Sequence, residues 1–123
     1  MKAAWLSDIH LNFLGRDKIN NFIRTLSKES ADCFLISGDI GEADSIIDYL
    51  KLMEAVLDKP VYFVLGNHDF YGGSIKAVRE MISHFIKASQ KLVWLNEVEY
   101  VSLTNETALV GHDSWADGRL LII

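Results

Sequence analysis

The sequence predicts an α/β domain, and three observations carry that prediction. Short apolar runs recur in the first part of the chain, "AAWLS" at residues 3–7, "CFLIS" at 33–37 and "VYFVL" at 61–65. The stretches between them are longer and amphipathic, with apolar residues at the three- and four-residue spacing of a helix. Proline occurs once, at Pro60, where it opens the third run instead of interrupting an element. This alternation is the rhythm of strands joined through crossover helices.

Taken in order, "AAWLS" reads as a first buried strand, followed by a helix with Ile19, Phe22, Ile23 and Leu26 on its apolar face. "CFLIS" is the second strand, and Ile46, Ile47, Leu50, Met53, Val56 and Leu57 mark a second helix for which Asp44 or Ser45 supplies a cap. "VYFVL" is the third strand. Ser74 caps a third helix whose apolar face carries Ile75, Val78, Met81, Ile82, Phe85 and Ile86. Beyond it the texture changes to short strands, "LVWLN", "EYVSL" and "ALVG", with a hairpin turn at Asn105 and Glu106 between the last two. The closing "RLLII" reads as an edge strand in need of a partner, or as a domain stopped partway.

A chain of 123 residues, half of them apolar, suits one domain over residues 1–123 with a single core. Its net charge is −5 and its 12 basic residues are scattered, which provides no electrostatic surface for a nucleic-acid backbone but leaves room for bound cations. The lone cysteine, Cys33, excludes an intrachain disulfide and reads as a buried strand thiol, so a reducing, cytoplasmic location is expected. No apolar run approaches the ~18 residues of a membrane span, and the N-terminal apolar stretch is too short for a signal peptide, so a soluble protein is expected.

Each of the three strands runs straight into polar residues: "SDIH", "SGDIGE" and "GNHD". In an open parallel sheet the loops at the carboxyl ends share one rim, so Asp8, His10, Asp39, Glu42, Asn67, His68 and Asp69 should meet there. Asp8 and His10 lie two apart, and extended backbone would point both to one side, as two ligands of one metal require. Carboxylate, imidazole and amide oxygen together favour Mn²⁺, Fe²⁺ or Zn²⁺. Gly38 and Gly66 permit the tight backbone at each turn. Singly, Asp8 and Asp39 read equally well as turn or capping residues, and His10 as an ordinary loop imidazole; their joint placement points to a site. His84 reads as a solvated helix residue, whereas His112, Asp113 and Trp115 follow a predicted strand and are secondary candidates.

Asp8-x-His10, Gly38-Asp39-x-x-Glu42 and Gly66-Asn67-His68-Asp69, in this order, resemble the first three motifs of the calcineurin-like metallophosphoesterases. The resemblance covers residues 1 to about 73 and continues more loosely through "VGHDSWADGR". It implies part of an αββα sandwich and a metal-dependent phosphoesterase with two divalent ions (Mn, Fe or Zn) acting on a small phosphate mono- or diester. Asp8 and His10 would ligate one ion, Asp39 would bridge both, and Asn67 would ligate the other. His68 would be the general acid, with Glu42 orienting it and Asp69 as the rival for that role. A phosphoprotein phosphatase is disfavoured, because "GDIGEAD" lacks the Asp-Arg pair of that branch, and a nuclease is disfavoured by the missing basic patch. Gly111-His112 stands too early for the family's later Gly-His motif and more closely resembles its Gly-x-Asp-x-Trp segment, and no Gly-His-x-His follows, so the chain is expected to match the N-terminal part of the family's domain. The alternative is a truncated, weakly active or inactive piece acting through association, with a homodimer through the C-terminal sheet edge.

Overall fold

The computed structural model describes residues 1–114. Four strands, β1 (Ala3–Leu6), β2 (Cys33–Ser37), β3 (Val61–Val64) and β4 (Leu92–Trp94), form a parallel sheet in the order β1-β2-β3-β4. They alternate with α1 (Arg16–Ser27), α2 (Ile46–Val56) and α3 (Ile75–Ile86), and an antiparallel pair, β5 (Val101–Ser102) and β6 (Ala108–Leu109), follows. The α/β reading therefore holds. The first and third strands end one residue earlier than their apolar runs, because Ser7 and Leu65 already belong to the loops.

"LVWLN" contains the short strand expected there, and the structure supplies its partner: β4 pairs in parallel with β3, Val61 opposite Leu92 and Phe63 opposite Trp94. The hairpin expected around Asn105 and Glu106 is present, with Ser102 paired to Ala108. Ser74 caps α3 by accepting a hydrogen bond from the Ala77 amide at 3.0 Å. Ser45 occupies the cap position of α2, but its hydroxyl accepts from the Glu42 amide in the preceding loop instead of from the helix. The closing "RLLII" and Trp115 lie outside the described residues.

Because neighbouring strands follow one another in the chain, crossovers of one hand lay every helix on the same face. The core bears this out: Phe34, Ile36, Val61, Phe63, Leu92 and Trp94 pack in one cluster with Ile19 and Ile23 of α1, Leu50 and Met53 of α2, and Val78 and Ile82 of α3. The alternate strand residues face the other way. There Trp5 is 74% exposed, and Trp5, Leu35, Tyr62 and Val64 form an apolar groove of about 270 Å³ with Leu95, Leu109 and Val110. Among the described residues, helices thus cover one face and the β5–β6 end reaches the other.

Phe63, fully buried at the centre of this cluster, tests the covered face. Phe63→Ala should lower the unfolding free energy by about 3–5 kcal/mol, read as a lower urea midpoint by circular dichroism.

Candidate metal centre

The β1–β2 ladder does not stop where the strands do. The Asp8 amide donates to the Gly38 carbonyl (3.2 Å), His10 to Asp39 (2.9 Å) and Leu11 to Ile40 (2.9 Å), so the loop after β1 is laced onto the loop after β2. The lacing bends the backbone sharply. Asp8, His10 and Asp39 have φ of 52°, 41° and 51°, and among the described residues they are the non-glycine positions with positive φ. Left-handed backbone costs an L-residue roughly 1 kcal/mol or more, and here it falls on the three residues whose ligand atoms converge within 4.8 Å of one another. The expected pairing of Asp8 and His10 is present, but extended backbone is not its cause; the left-handed turns bring the side chains together.

The loops after β2 and β3 approach almost to contact. A Cβ on Gly38, which has φ of 95°, would lie 2.7 Å from the Gly66 nitrogen, and one on Gly66 would lie 2.2 Å from Asp39 Oδ1. Two carboxylates bind the loops reciprocally. Asp39 Oδ1 accepts from the His68 amide at 3.0 Å. Asp69, fully buried, accepts from the amides of Ile40 and Gly41 through Oδ1 and from Gly66 through Oδ2, each at 2.8 Å. Asp69 is therefore spent on backbone amides and holds the loops, where the sequence had offered it as a partner for the His68 ring. Among the described residues nothing donates to the Glu42 carboxylate; its main chain starts α2, with its carbonyl accepting from Ser45 and Ile46.

Two carboxylates and an uncommitted imidazole face one another. Ser7 Oγ donates to the Asp8 carboxylate. His10 Nδ1 is buried without a hydrogen-bond partner, and Nε2 stands 3.7 Å from Asp39 Oδ2, too far for a hydrogen bond. A ring whose buried Nδ1 has no partner and whose Nε2 faces a buried carboxylate beyond hydrogen-bond reach fits a divalent cation better than it fits protein alone. Asn67 Nδ2 donates to the Tyr71 hydroxyl at 3.0 Å, which leaves Oδ1 free as a ligand oxygen. The His68 ring lies edge-on to His10, with centroids 4.9 Å apart, and 4.3 Å from the Tyr71 ring. Phe13 stacks on His10, with centroids 5.1 Å apart.

The secondary candidates separate. Asp113 is buried and accepts from the Leu65 amide (2.7 Å) and from Trp94 Nε1 (3.0 Å), while its own amide donates to Asn96 Oδ1. It braces the root of the "GNHD" loop from beneath. His112 is exposed beside the groove on the open sheet face, and His84 is exposed on α3, as expected. Burial, with the charge of Asp32 added, pushes the Cys33 thiol upward, consistent with an unreactive core cysteine. Sequence reasoning missed Phe13 and Tyr71; adjacency to the motifs, in "HLNF" and "HDFY", was the only signal for them.

Burial pushes the Asp69 carboxyl up to about 6; the amides of Gly41, Gly66 and Ile40 pull it back, and the Asp39 charge adds to the rise. A carboxyl raised on folding binds its proton more tightly in the native state, so its contribution is greatest below about pH 4 and is lost as pH rises through about 6. In chelator, the stability of the wild-type chain relative to Asp69→Asn should therefore fall across that window, by up to about 3 kcal/mol. Urea titrations at several pH values measure it, and a pH-independent difference would contradict the assignment.

A family model described as "Calcineurin-like phosphoesterase" matches residues 1–121. Among curated relatives, a "Transmembrane protein with metallophosphoesterase domain" from Bos taurus is 35% identical over 81 residues, covering 61% of this chain and 18% of the relative. Its namesake from Danio rerio is 31% identical over 88 residues, covering 67% and 20%. A "Probable cyclic nucleotide phosphodiesterase" from Pseudoalteromonas sp. (strain SM9913) is 27% identical over 103 residues, covering 68% and 40%. The chain thus spans less than half the length of these relatives. No solved structure matches significantly. Although two relatives are named as transmembrane proteins, no helix among the described residues is long and apolar enough to cross a membrane. The three loop motifs, their convergence and the match along the chain give one conclusion: the chain belongs to the calcineurin-like phosphoesterase family.

Proposed function

We propose that this chain is a metal-dependent phosphoesterase that hydrolyses a small phosphate mono- or diester at a dinuclear centre. The observation that supports it most is the convergence of Asp8, His10 and Asp39 within 4.8 Å on strained backbone, with the His10 ring uncommitted. Asp8 and His10 would hold one ion, Asp39 would be shared, and Asn67 Oδ1 would hold the second. Two divalent ions, Mn, Fe or Zn, would neutralise phosphoryl charge and make water nucleophilic near neutral pH.

The remaining work belongs to the chain's own side chains. As water oxygen bonds to phosphorus and the ester P–O bond breaks, the His68 imidazolium gives its proton to the leaving oxygen. The bond from the His68 amide to Asp39 fixes the ring's root, and the His10 and Tyr71 rings flank it. Of the two acids considered for orienting His68, Asp69 is engaged by backbone amides and positions His68 through the loop, while Glu42 keeps its carboxylate unengaged. The name of the Pseudoalteromonas relative supports a diester among the substrates. The single buried thiol supports a reducing, cytoplasmic setting.

Reconstituted with Mn²⁺, the chain should bind metal by calorimetry and hydrolyse an aryl phosphate mono- or diester. Asp39→Asn, which tolerates the left-handed backbone, should weaken binding of both ions and lower kcat/KM about 100-fold or more. A chain that binds no metal and turns over neither ester would sink the proposal.

One alternative is kept, a weakly active or inactive chain that acts by association with a second copy of itself; beside the C-terminal sheet edge, the apolar sheet face at Trp5, 74% exposed, offers a surface for it. Sedimentation velocity should then show a concentration-dependent dimer that Trp5→Ser weakens. A monomer with full phosphatase activity removes this alternative.

A further inference from the structure

We propose that Phe13 and Tyr71 form a stacking wall that selects phosphate esters whose leaving group carries a planar aromatic ring; this rests on the phosphoesterase reading above. Phe13 is 70% exposed and Tyr71 47% exposed, yet neither hangs free. Phe13, His10, His68 and Tyr71 form a row, with centroid separations of 5.1, 4.9 and 4.3 Å along it. The two histidines in the middle are the candidate ligand and the candidate acid. The two rings at the ends face solvent, open to the substituent of an ester whose phosphate sits against the ligands.

The short turn Leu11–Phe13 already has an apolar anchor, since Leu11 is fully buried. Phe13 is therefore not needed to fasten the turn. It also walls a groove of about 290 Å³ with Leu14, Gly15, Arg16, Asp17 and Lys18, enough space for a ring system beside the Phe13 face. Aromatic rings stack at centroid separations of about 4.5–7 Å, so a leaving-group ring can extend the row by one member at either end.

The test uses the Mn²⁺-loaded chain and three non-hydrolysable probes, phenyl-, cyclohexyl- and methylphosphonate, titrated by calorimetry. Phenylphosphonate should bind about 3- to 10-fold more tightly than the other two. Phe13→Ala should reduce that preference while leaving the methylphosphonate and Mn²⁺ affinities unchanged, and Phe13→Tyr should preserve it. Equal affinity for the phenyl and cyclohexyl probes would overturn the inference. So would a Phe13→Ala variant that loses Mn²⁺ and all three probes alike, because Phe13 would then only support His10. If the wild-type chain binds neither Mn²⁺ nor methylphosphonate, the phosphoesterase reading itself fails, and this inference with it.

Discussion

Three backbone amides from two different loops, those of Ile40, Gly41 and Gly66, converge on the buried carboxylate of Asp69. Hydrogen bonds to an ionised group are the strong ones, roughly 1.5–3 kcal/mol each, and without these donors the carboxylate would be a costly buried charge. The rest of the rim depends on them. With the loops after β2 and β3 fixed to each other, Asp39 can hold a left-handed backbone and still reach the His68 amide. With Asp39 fixed, the loop after β1 can be laced onto it through His10. The candidate ligands are thus positioned by backbone bonds extending the sheet, not by long flexible side chains, which is the preorganisation a metal site needs.

The same bonds explain why glycine stands at positions 38 and 66. Gly38 supplies a left-handed turn, but both residues also lie where the loops nearly touch, and a side chain on Gly66 would collide with the Asp39 carboxylate. Asp113 closes the arrangement from below, because it accepts from the Leu65 amide at the foot of the third loop while also holding the indole of Trp94 in β4. Stability and site geometry are therefore linked: core, brace and ligand loops share residues.

Much of the fold was legible because its signals are local. Apolar runs with β-branched and aromatic residues identified β1, β2 and β3, and helical spacing identified three helices whose buried residues, such as Ile19, Leu50 and Val78, are those of the apolar stripes. The rim was legible as well, since strand-end motifs in a parallel sheet converge whatever the loop details. β4 was legible as a short strand in "LVWLN", but its partner was not, because its parallel pairing with β3 is a long-range contact. Ser45 was offered as a helix cap, but a competing local bond, three residues back in the chain, engages its hydroxyl with the Glu42 amide.

By itself the sequence determined the βαβ order, the apolar faces and the set of residues brought to one rim, because periodicity and strand-end position are properties of neighbouring residues. Only the tertiary structure decided what each polar side chain does there. Asp8 and His10 converge through left-handed turns set by hydrogen bonds to the loop around Asp39, not through alternation along a strand. Asp69 and Asp113 became braces because they are buried against amides distant in sequence, whereas Phe13 and Tyr71 became the exposed ends of an aromatic row. The physical reason is the same in each case: a side chain's role follows from the donors, charges and rings that surround it, and residues far along the chain supply many of these.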